Sequence, residues 1–346
     1  MERYSFRNDY SELAHTDVLK ALMSVKDNQY GGYGLDVHSE NAVKLIKKVI
    51  NREDVDIHFI GGGTQANLVV LSAILRSHEA VIACETGHIA THETGAIEAT
   101  GHKVCTVKTE DGKLRVEQIE EILKIHQDEH MVKPKAVFIS LSTEIGTIYT
   151  KKELQEIHTC CRDNDLYLYM DGARIAAGIN SKDCDLTYED IANLVDVFYF
   201  GGTKNGALFG EAIVICNDGL KTDFRYSLKQ RGGMLAKGAA LGIQFEALFT
   251  NNLYDNNAVH ANTMAYRLAD GIRNLGYEFL TEVQSNQIFP IFPNGVVEGL
   301  KKKYEFHEWV NLGEKTAIRL VTSFATPVEV VDTFIAYLSS LTGSRN

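Results

Sequence analysis

Two apolar stretches decide the fold: LYLYMDGARIAAG at residues 166–178 and DVFYFGGTKNGALFG at residues 196–210. Each begins with a run of aromatic and aliphatic residues that is typical of a buried strand, and each contains a short polar set after that run. The first set includes Asp171 and Arg174, and the second includes Lys204. Since reactive groups collect at the carboxyl ends of strands in an open parallel sheet, we expect these three side chains to meet at one edge.

Strands and helices alternate along the chain around these two stretches. Apolar segments of strand length occur at 80–84, 103–107 and 136–142, and helical spacing of apolar residues occurs at 116–127 and 151–164. This alternation predicts an α/β fold with a mainly parallel sheet.

The pattern changes after Cys216, where long helical segments precede several short strands and one further helix. We therefore predict an N-terminal arm at 1–15, a large domain at 16–245 and a small α+β domain at 246–346. With only 4 prolines and no linker rich in serine and proline, we expect no loose tether between the domains.

Composition narrows the possible partners and the compartment. The 346 residues carry a net charge of −11, which disfavours nucleic acid and anionic membranes, because phosphate binding needs excess basic charge. No apolar run approaches the ~20 residues of a membrane span, and the first residues lack the apolar core of a signal peptide. The six cysteines form no CxxC pair. These features predict a cytoplasmic protein with reduced thiols.

A glycine-rich turn at DIHFIGGGTQANL (56–68) predicts an anion site. A short apolar strand leads into three glycines and Thr64, and a long apolar helix follows. Glycines let the backbone approach an anion closely, and the free N–H groups and dipole of a helix start bind it. The alternative is a tight structural turn, because the segment matches neither GxGxxG nor GxxxxGK[ST].

Together, these features predict a pyridoxal phosphate (PLP) site. A lysine that forms a Schiff base needs a lowered pKa, which Lys204 could have at a buried strand end. A carboxylate at the pyridine nitrogen, the role expected for Asp171, keeps the ring protonated and makes it an electron sink. In isolation, a lysine beside glycines is more often a solvated residue; the phosphate seat and the acid upstream change that interpretation.

Other candidate residues fit two interpretations when each is considered alone. His88 and His92 lie four positions apart in HIATH, but the zinc signature HExxH is absent, so we predict no metal. An imidazole stacked on a flat cofactor ring and a structural histidine both fit His88. Arg174 and Arg319 fit either a clamp on a substrate carboxylate or ordinary surface pairs. The basic loop KQRGGMLAKG at 229–238 fits either a solvated loop or a phosphate contact across a subunit interface.

Seven segments in one order resemble the threonine aldolase and aromatic β-eliminating lyase family of fold-type I PLP enzymes. The versions STEIGTIYT, GGTKNG and RLVTSFAT resemble the phenylserine aldolase branch most. The matching segments are FIGGGTQANL (59–68), GHIATHETGA (87–96), ISLSTEIGTIYT (139–150), YMDGARIAAG (169–178), FGGTKNGALFGEAIV (200–214), LKQRGGMLAKG (228–238) and IRLVTSFAT (318–326).

The resemblance implies the PLP-dependent transferase-like fold of aspartate aminotransferase, with a shared site in a homodimer or homotetramer. It implies that Lys204 binds the cofactor covalently, Asp171 pairs with the pyridine nitrogen and His88 stacks on the ring. Arg174 and Arg319 would grip the substrate carboxylate, and Tyr33 belongs to a loop near the site. The remaining implied cofactor contacts are Gly63, Thr64, Gln65, Thr203, Arg174, Lys229 and Lys237.

Three departures bear on the substrate. Where classical threonine aldolases have a histidine linked to the substrate β-hydroxyl, this chain has Glu144, which puts threonine itself in doubt. Leu235 replaces an arginine of the glycine-rich basic loop, and Lys237 is a candidate substitute. Asn8 stands where the family has a serine contact to the substrate carboxylate.

The expected activity is cleavage of the Cα–Cβ bond of a β-hydroxy-α-amino acid, of the threonine or phenylserine type, to glycine and an aldehyde. The base that removes the β-hydroxyl proton is Glu144, a nearby histidine or a water molecule. The alternatives are β-elimination or transamination with the same cofactor, and a non-catalytic protein that keeps the fold for binding or assembly.

Overall fold

The computed structural model describes residues 3–342, so the first two residues of the predicted arm and the last four of the predicted small domain lie outside the description. The strands are β1 Tyr4–Ser5, β2 Asp56–Ile60, β3 Glu79–Cys84, β4 Lys103–Val107, β5 Lys133–Ser140, β6 Tyr167–Asp171, β7 Val197–Gly201, β8 Glu211–Ile215, β9 Gln287–Ile288, β10 Ile291–Pro293, β11 Tyr304–Glu305, β12 His307–Asn311 and β13 Lys315–Val321.

Helices connect most of these strands. They are α1 Thr16–Ser24, α2 Val37–Ile50, α3 Gly63–Ile74, α4 His88–Thr91, α5 Val116–Ile125, α6 Lys151–Asp163, α7 Ile175–Ile179, α8 Tyr188–Leu194, α9 Phe224–Gln230, α10 Ala239–Phe249, α11 Leu253–Asn274, α12 Asn294–Leu300 and α13 Val328–Thr342. Within residues 3–342, no helix is both long and apolar enough to cross a membrane.

The large sheet has seven strands in the order β2-β8-β7-β6-β5-β3-β4. The pairs from β7 to β4 are parallel, and β8 is antiparallel to both β7 and β2. The carboxyl ends of the other six strands and the amino end of β8 therefore lie at one edge. The alternation of strands and helices predicted from the sequence is present.

Both faces of this sheet are covered, which explains why its strands are almost continuously apolar. Along β6 and β7, alternate residues enter two separate cores: Leu168 and Phe198 pack in one, and Tyr169 and Tyr199 pack in the other. The strand period of two thus assigns each residue to one face.

Two glycines bring the ends of β6 and β7 together. A Cβ atom added at Gly172 would lie 1.6 Å from the carbonyl oxygen of Tyr199, and one at Gly201 would lie 2.4 Å from that of Ala173. Side chains at these positions would push the two turns apart. The glycines of the two deciding stretches are therefore needed for close contact between the strand ends.

A second unit packs β9, β10, β12 and β13 against helices α11, α12 and α13. The sequence predicted one helix after Gly276, but the structure has two in residues 277–342. The missed helix is α12, which turns Val296, Val297 and Leu300 toward the small core. The division at residue 246 stays a prediction; residues from Met264 onward belong to this core.

The N-terminal arm is bound to the small unit. Its strand β1 pairs in parallel with β11, and Phe6 is buried between the rings of Tyr304 and Phe334. This anchorage holds Asp9, three residues further on, in a buried position next to the edge of the large sheet.

Candidate active site

A cavity of about 650 Å³ opens at the edge where the strands of the large sheet end. Residues after β2, β3, β5, β6 and β7 line it, together with the first residue of β8 and a wall from β12 and β13. The lining side chains that carry the argument below are Thr64, His88, Ser142, Glu144, Asp171, Arg174, Thr203, Lys204, Glu211, Gln287, Trp309 and Arg319.

Lys204 lies three residues after β7, in the wall of the cavity. Burial, reinforced by the nearby charge of Arg174, lowers the pKa of its ammonium group, although Asp9, Asp171 and Glu211 act in the opposite direction. No residue among 3–342 makes a hydrogen bond or ion pair with its amine. The amine is therefore available for reaction with an electrophile.

Asp171 is the last residue of β6 and is held by three hydrogen bonds. Its Oδ1 accepts from the Tyr199 hydroxyl at 2.5 Å and from the Ala173 N–H at 2.9 Å. Its Oδ2 accepts from the Asn67 amide at 3.2 Å. Three fixed donors hold the carboxylate in one orientation at the floor of the cavity.

The glycine turn that predicts an anion site leads into the start of α3 at the edge of the cavity. The helix begins at Gly63, directly after β2 and two glycines, and residues 61–64 line the cavity. Its first N–H groups have no partners within the helix, so they can bind a phosphate there. Thr203 lines the same cavity from the β7 side.

His88 begins α4 and is held on two sides. Its Nδ1 lies 2.8 Å from Oε1 of the buried Glu93, and its backbone N–H donates to Oε1 of Glu144 at 3.0 Å. The Ser140 hydroxyl donates to the same Glu144 oxygen at 2.8 Å. Burial, and then the charge of Asp171, raise the pKa of Glu144.

Arg174 lines the cavity, but its guanidinium is engaged by Asp9 of the arm. Its Nε donates to Asp9 Oδ2 at 2.7 Å and its Nη2 to Oδ1 at 3.0 Å. Although burial acts in the opposite direction, the charges of Arg174 and Lys204 lower the pKa of Asp9. The amide of Asn286 also donates to Asp9 at 2.9 Å. Sequence reasoning missed this partner, because residues 9 and 174 meet only in the folded chain.

Arg319 and Trp309 form the wall on the side of the small unit. The Arg319 guanidinium lies 5.3 Å from the Trp309 ring centroid, and its Nη2 donates to the Arg7 carbonyl oxygen at 3.2 Å. Burial, and then the charge of Arg174, lower the pKa of Arg319 to about 10, which leaves it positive at neutral pH. Trp309 is the single tryptophan of the chain, and no motif in the sequence pointed to it as a site residue.

Glu211 is a second residue that sequence reasoning missed. It begins β8 opposite both Gly201 and Ile60, and its Oε2 accepts from the Gly202 N–H at 2.8 Å. Burial raises the pKa of this carboxyl group to about 7. An acid at the start of the apolar segment EAIVIC was the signal available in the sequence.

Five residues predicted for the site do not line the cavity of this chain. Asn8 accepts hydrogen bonds from the Tyr10 N–H and the Ser11 hydroxyl, both at 3.0 Å. Gln65 donates to the Arg231 carbonyl oxygen at 3.2 Å. Tyr33 and Lys229 lie against each other on the surface, with 4.4 Å from the ammonium to the ring centroid, and Lys237 is exposed.

The donor set of the cavity fits pyridoxal phosphate. The helix start provides N–H groups for the phosphate, Lys204 an amine for the aldehyde and Asp171 a carboxylate for the ring nitrogen. Three buried polar atoms of lining residues have no hydrogen-bond partner within residues 3–342, namely Ser142 Oγ, Gln287 Oε1 and Arg319 Nε. Buried polar atoms are normally paired, so these atoms indicate a place for polar ligand groups.

Comparisons with known proteins agree with this geometry. A model of the beta-eliminating lyase family matches residues 16–293. Low specificity L-threonine aldolases from a Pseudomonas species and from Pseudomonas aeruginosa are 34% and 33% identical to this chain over 288 and 303 residues. The first alignment covers 81% of this chain and 82% of the relative, and the second covers 86% of each.

Solved structures agree as well. A threonine aldolase from Leishmania major superposes with a TM-score of 0.96 at 47% identity, covering 98% of this chain and 99% of the other. An aspartate aminotransferase variant from Thermus thermophilus has a TM-score of 0.72 at 14% identity, covering 98% and 92%, which shows the fold alone. The predicted fold is confirmed, and so is the predicted resemblance at the level of the family. The phenylserine aldolase branch stays a prediction.

Proposed function

The chain belongs to the β-eliminating lyase family of pyridoxal phosphate-dependent enzymes, and we propose that it cleaves the Cα–Cβ bond of a β-hydroxy-α-amino acid. The products are glycine and an aldehyde. The observation that carries the proposal is the convergence on one cavity of an unpaired Lys204 with a lowered pKa, a fixed Asp171 and the anion seat of α3.

Each part of the cofactor has a proposed partner in this chain. Lys204 would hold the cofactor covalently, Asp171 would pair with its ring nitrogen and His88 would contact its ring. Gly63 and Thr64 would bind its phosphate, with Thr203 lining the same cavity. Once bound, the cofactor supplies a conjugated ring that accepts the electron pair left on Cα when the Cα–Cβ bond breaks.

Arg319 is the arginine best placed to bind the substrate carboxylate. Its Nε has no partner within residues 3–342, whereas Nε and Nη2 of Arg174 both donate hydrogen bonds to Asp9. A guanidinium with a free edge gives a bidentate grip on a carboxylate. We assign Arg174 a supporting role, in which its charge, added to the effect of burial, lowers the pKa of the Lys204 ammonium group.

Glu144 is our proposal for the base that removes the β-hydroxyl proton. Its Oε1 is engaged by the His88 N–H and the Ser140 hydroxyl, while its Oε2 has no hydrogen bond within residues 3–342. Its raised pKa brings it closer to the operating pH, as general base catalysis requires. Proton removal from the hydroxyl forms the aldehyde carbonyl as the Cα–Cβ bond breaks, and Cα then takes up a proton.

The wall favours an aromatic substituent on Cβ. Trp309, His307, His92 and Tyr10 line the cavity, and burial lowers the pKa of both histidines, which favours their neutral rings. The second cause of the lowered pKa is the charge of His88 for His92 and the charge of Arg319 for His307. Flat, largely neutral side chains suit an aryl ring better than a methyl group. This supports a substrate of the phenylserine type over threonine.

We further propose a cytoplasmic homodimer or homotetramer. All six cysteines are free thiols, as expected in a reducing compartment. Tyr33, Leu35 and Val37 are 43%, 67% and 52% exposed beside the predicted site loop. A neighbouring apolar surface of this kind suits a contact with a second copy of the chain. Such a contact would also allow the basic loop at 229–238 to reach a phosphate across the subunit interface.

A product assay tests the proposed function. Purified protein loaded with pyridoxal phosphate is given phenylserine and threonine, and the aldehyde, glycine, ammonia and keto acid are measured. Glycine and aldehyde in equal amounts support the aldolase. Ammonia with a keto acid indicates β-elimination, and a keto acid that forms only with an added amino acceptor indicates transamination.

A further inference from the structure

A chain of buried hydrogen bonds joins His88 to Asp171 below the cavity. His88 Nδ1 lies 2.8 Å from Glu93 Oε1, and the Asn67 amide nitrogen donates to the same oxygen at 2.7 Å. The second hydrogen of that nitrogen points to Asp171 Oδ2 at 3.2 Å. Asn67 thus connects two carboxylates that are separated by 78 positions in the sequence (171 − 93).

The orientation of the Asn67 amide is fixed by a third partner. The Tyr169 hydroxyl donates to Asn67 Oδ1 at 2.7 Å, so the amide oxygen faces Tyr169 and the NH₂ group faces the carboxylates. Asn67 and Tyr169 are fully buried, and the Glu93 side chain has no exposed surface. Water therefore cannot replace these bonds, and each lost partner would leave a buried polar group unpaired.

This arrangement determines which nitrogen of His88 carries a proton. The Asn67 amide donates to Glu93 Oε1, and because a Glu93 carboxylate can only accept, the imidazole donates to it from Nδ1. His88 Nε2 makes no hydrogen bond within residues 3–342. The ring is thus held by one edge, and its other nitrogen is left for the cavity.

We propose that Glu93 and Asn67 are positioning residues of the active site. Glu93 holds His88 with its proton on Nδ1, and Asn67 ties Glu93 to Asp171 in one rigid unit. The group over the cofactor ring and the group at its nitrogen are then oriented together. The inference rests on the proposed function, because it uses the roles proposed there for His88 and Asp171.

Other charged and titratable groups face this unit and share in its pH dependence. The His92 ring lies 5.6 Å from the His88 ring, and Glu144 accepts from the His88 backbone N–H. Tyr199 donates to Asp171, and the Lys204 ammonium and Asp171 influence each other electrostatically. A test must therefore change Glu93 and leave these groups in place.

The first test compares Glu93→Gln with the matched control Glu98→Gln, both in protein loaded with pyridoxal phosphate. Glu98 lies exposed on the same segment and outside the network. For E93Q we expect kcat to fall about 10- to 100-fold, as for partners that orient metal-bound histidines. Since a nearby negative charge is lost, the visible band of the bound cofactor should titrate at lower pH. E98Q should stay within about twofold of the wild type, with an unshifted titration.

The second test uses the unaltered protein, so it does not depend on how E93Q folds. Loaded protein is labelled with ¹⁵N-histidine, and the His88 signals are identified by their loss in His88→Gln. A proton on Nδ1 supports the proposal, and a neutral ring with its proton on Nε2 overturns it. The proposal is also overturned if E93Q binds pyridoxal phosphate, its visible band titrates as in the wild type and its kcat stays within twofold. A wild type that binds no pyridoxal phosphate contradicts the proposed function instead.

Discussion

The floor of the cavity and its wall are built in opposite ways. Asp171 of the floor, and Glu93 below the cavity, are held by buried hydrogen bonds from neighbouring strands and helices. Wall residues Trp309 and Arg319 come from the small unit, and Arg319 has one hydrogen bond and an unpaired Nε within residues 3–342. A floor whose Asp171 carboxylate is held by several hydrogen bonds before any ligand binds suits one fixed chemistry, whereas a wall with an unpaired guanidinium nitrogen suits recognition of the substrate.

We expect the largest effect when the reactive group of the cavity floor, the Lys204 amine, is removed. In Lys204→Ala the amine that binds the cofactor covalently is absent, so we expect loss of the corresponding visible absorbance and no measurable aldolase activity. The control is Lys152→Ala, since Lys152 is 84% exposed on α6. Absorbance and activity are recorded for both variants after loading. An unchanged band in the Lys204 variant would show that another residue binds the cofactor.

The next effect concerns the pair that joins the arm to the floor. Asp9→Asn leaves the Arg174 charge buried without its partner, which typically costs about 3–5 kcal/mol in free energy of unfolding. Denaturant titration measures this loss. Asp332→Asn breaks the Arg267 pair, whose two side chains are about half exposed, and should cost less than about 1 kcal/mol. Equal losses in both variants would contradict a special role for the buried pair.

Glu211, an acid in the floor of the cavity, should make the free energy of unfolding depend on pH. Glu211 has a pKa of about 7 in the folded chain against 4.5 as its ordinary value, so the folded state holds a proton that the unfolded state has already released in this range. The free energy of unfolding of cofactor-free protein should therefore fall as the pH rises from about 4.5 to about 7. At about 1.4 kcal/mol for each pH unit, the fall is roughly 3 kcal/mol.

Glu211→Gln is the matched variant for this prediction, because it cannot ionise. The difference in unfolding free energy between wild type and variant, measured by denaturant titration across this pH range, isolates the contribution of Glu211. Parallel curves for the two proteins would mean that Glu211 keeps an ordinary pKa.

The smallest effect sharpens the comparison by changing the wall alone. Trp309→Ala removes an aromatic surface whose pairing with an aryl ring is worth about 0.5–1.5 kcal/mol. At the upper end of this range we expect kcat/KM for phenylserine to fall about 10-fold, with a change of less than about threefold for threonine. The cofactor band should stay as in the wild type. An equal loss of kcat/KM for both substrates would mean that Trp309 supports the site in general and does not recognise the substrate side chain.

The sequence indicated the positions of the floor residues because the main ones lie at the ends of strands that can be recognised in the sequence. Asp171 and Lys204 each follow a recognisable apolar strand, and the glycine turn before Thr64 precedes a clear helix start. Parallel strands bring such ends to one edge whatever the details of packing. The position of these residues therefore followed from periodicity and chain order.

The partners of those residues depended on contacts between distant segments. Asp9 meets Arg174 because β1 anchors the arm to β11, and Glu211 reaches the floor because β8 runs opposite to its neighbours. No period or spacing in the chain encodes such meetings. For the same reason, Tyr33 and Lys229, which resemble site residues in sequence, pack against each other outside the cavity.

By itself, the sequence determined the α/β class, the family and the residues at the strand ends of the cavity floor, because strand period, glycine turns and motif order are local properties of the chain. Only the tertiary structure decided that Arg319 keeps an unpaired Nε in the cavity, which carboxylates share a hydrogen-bond donor and which side chains form the wall. These depend on burial and on distances between the large and small units, which arise when the chain closes on itself.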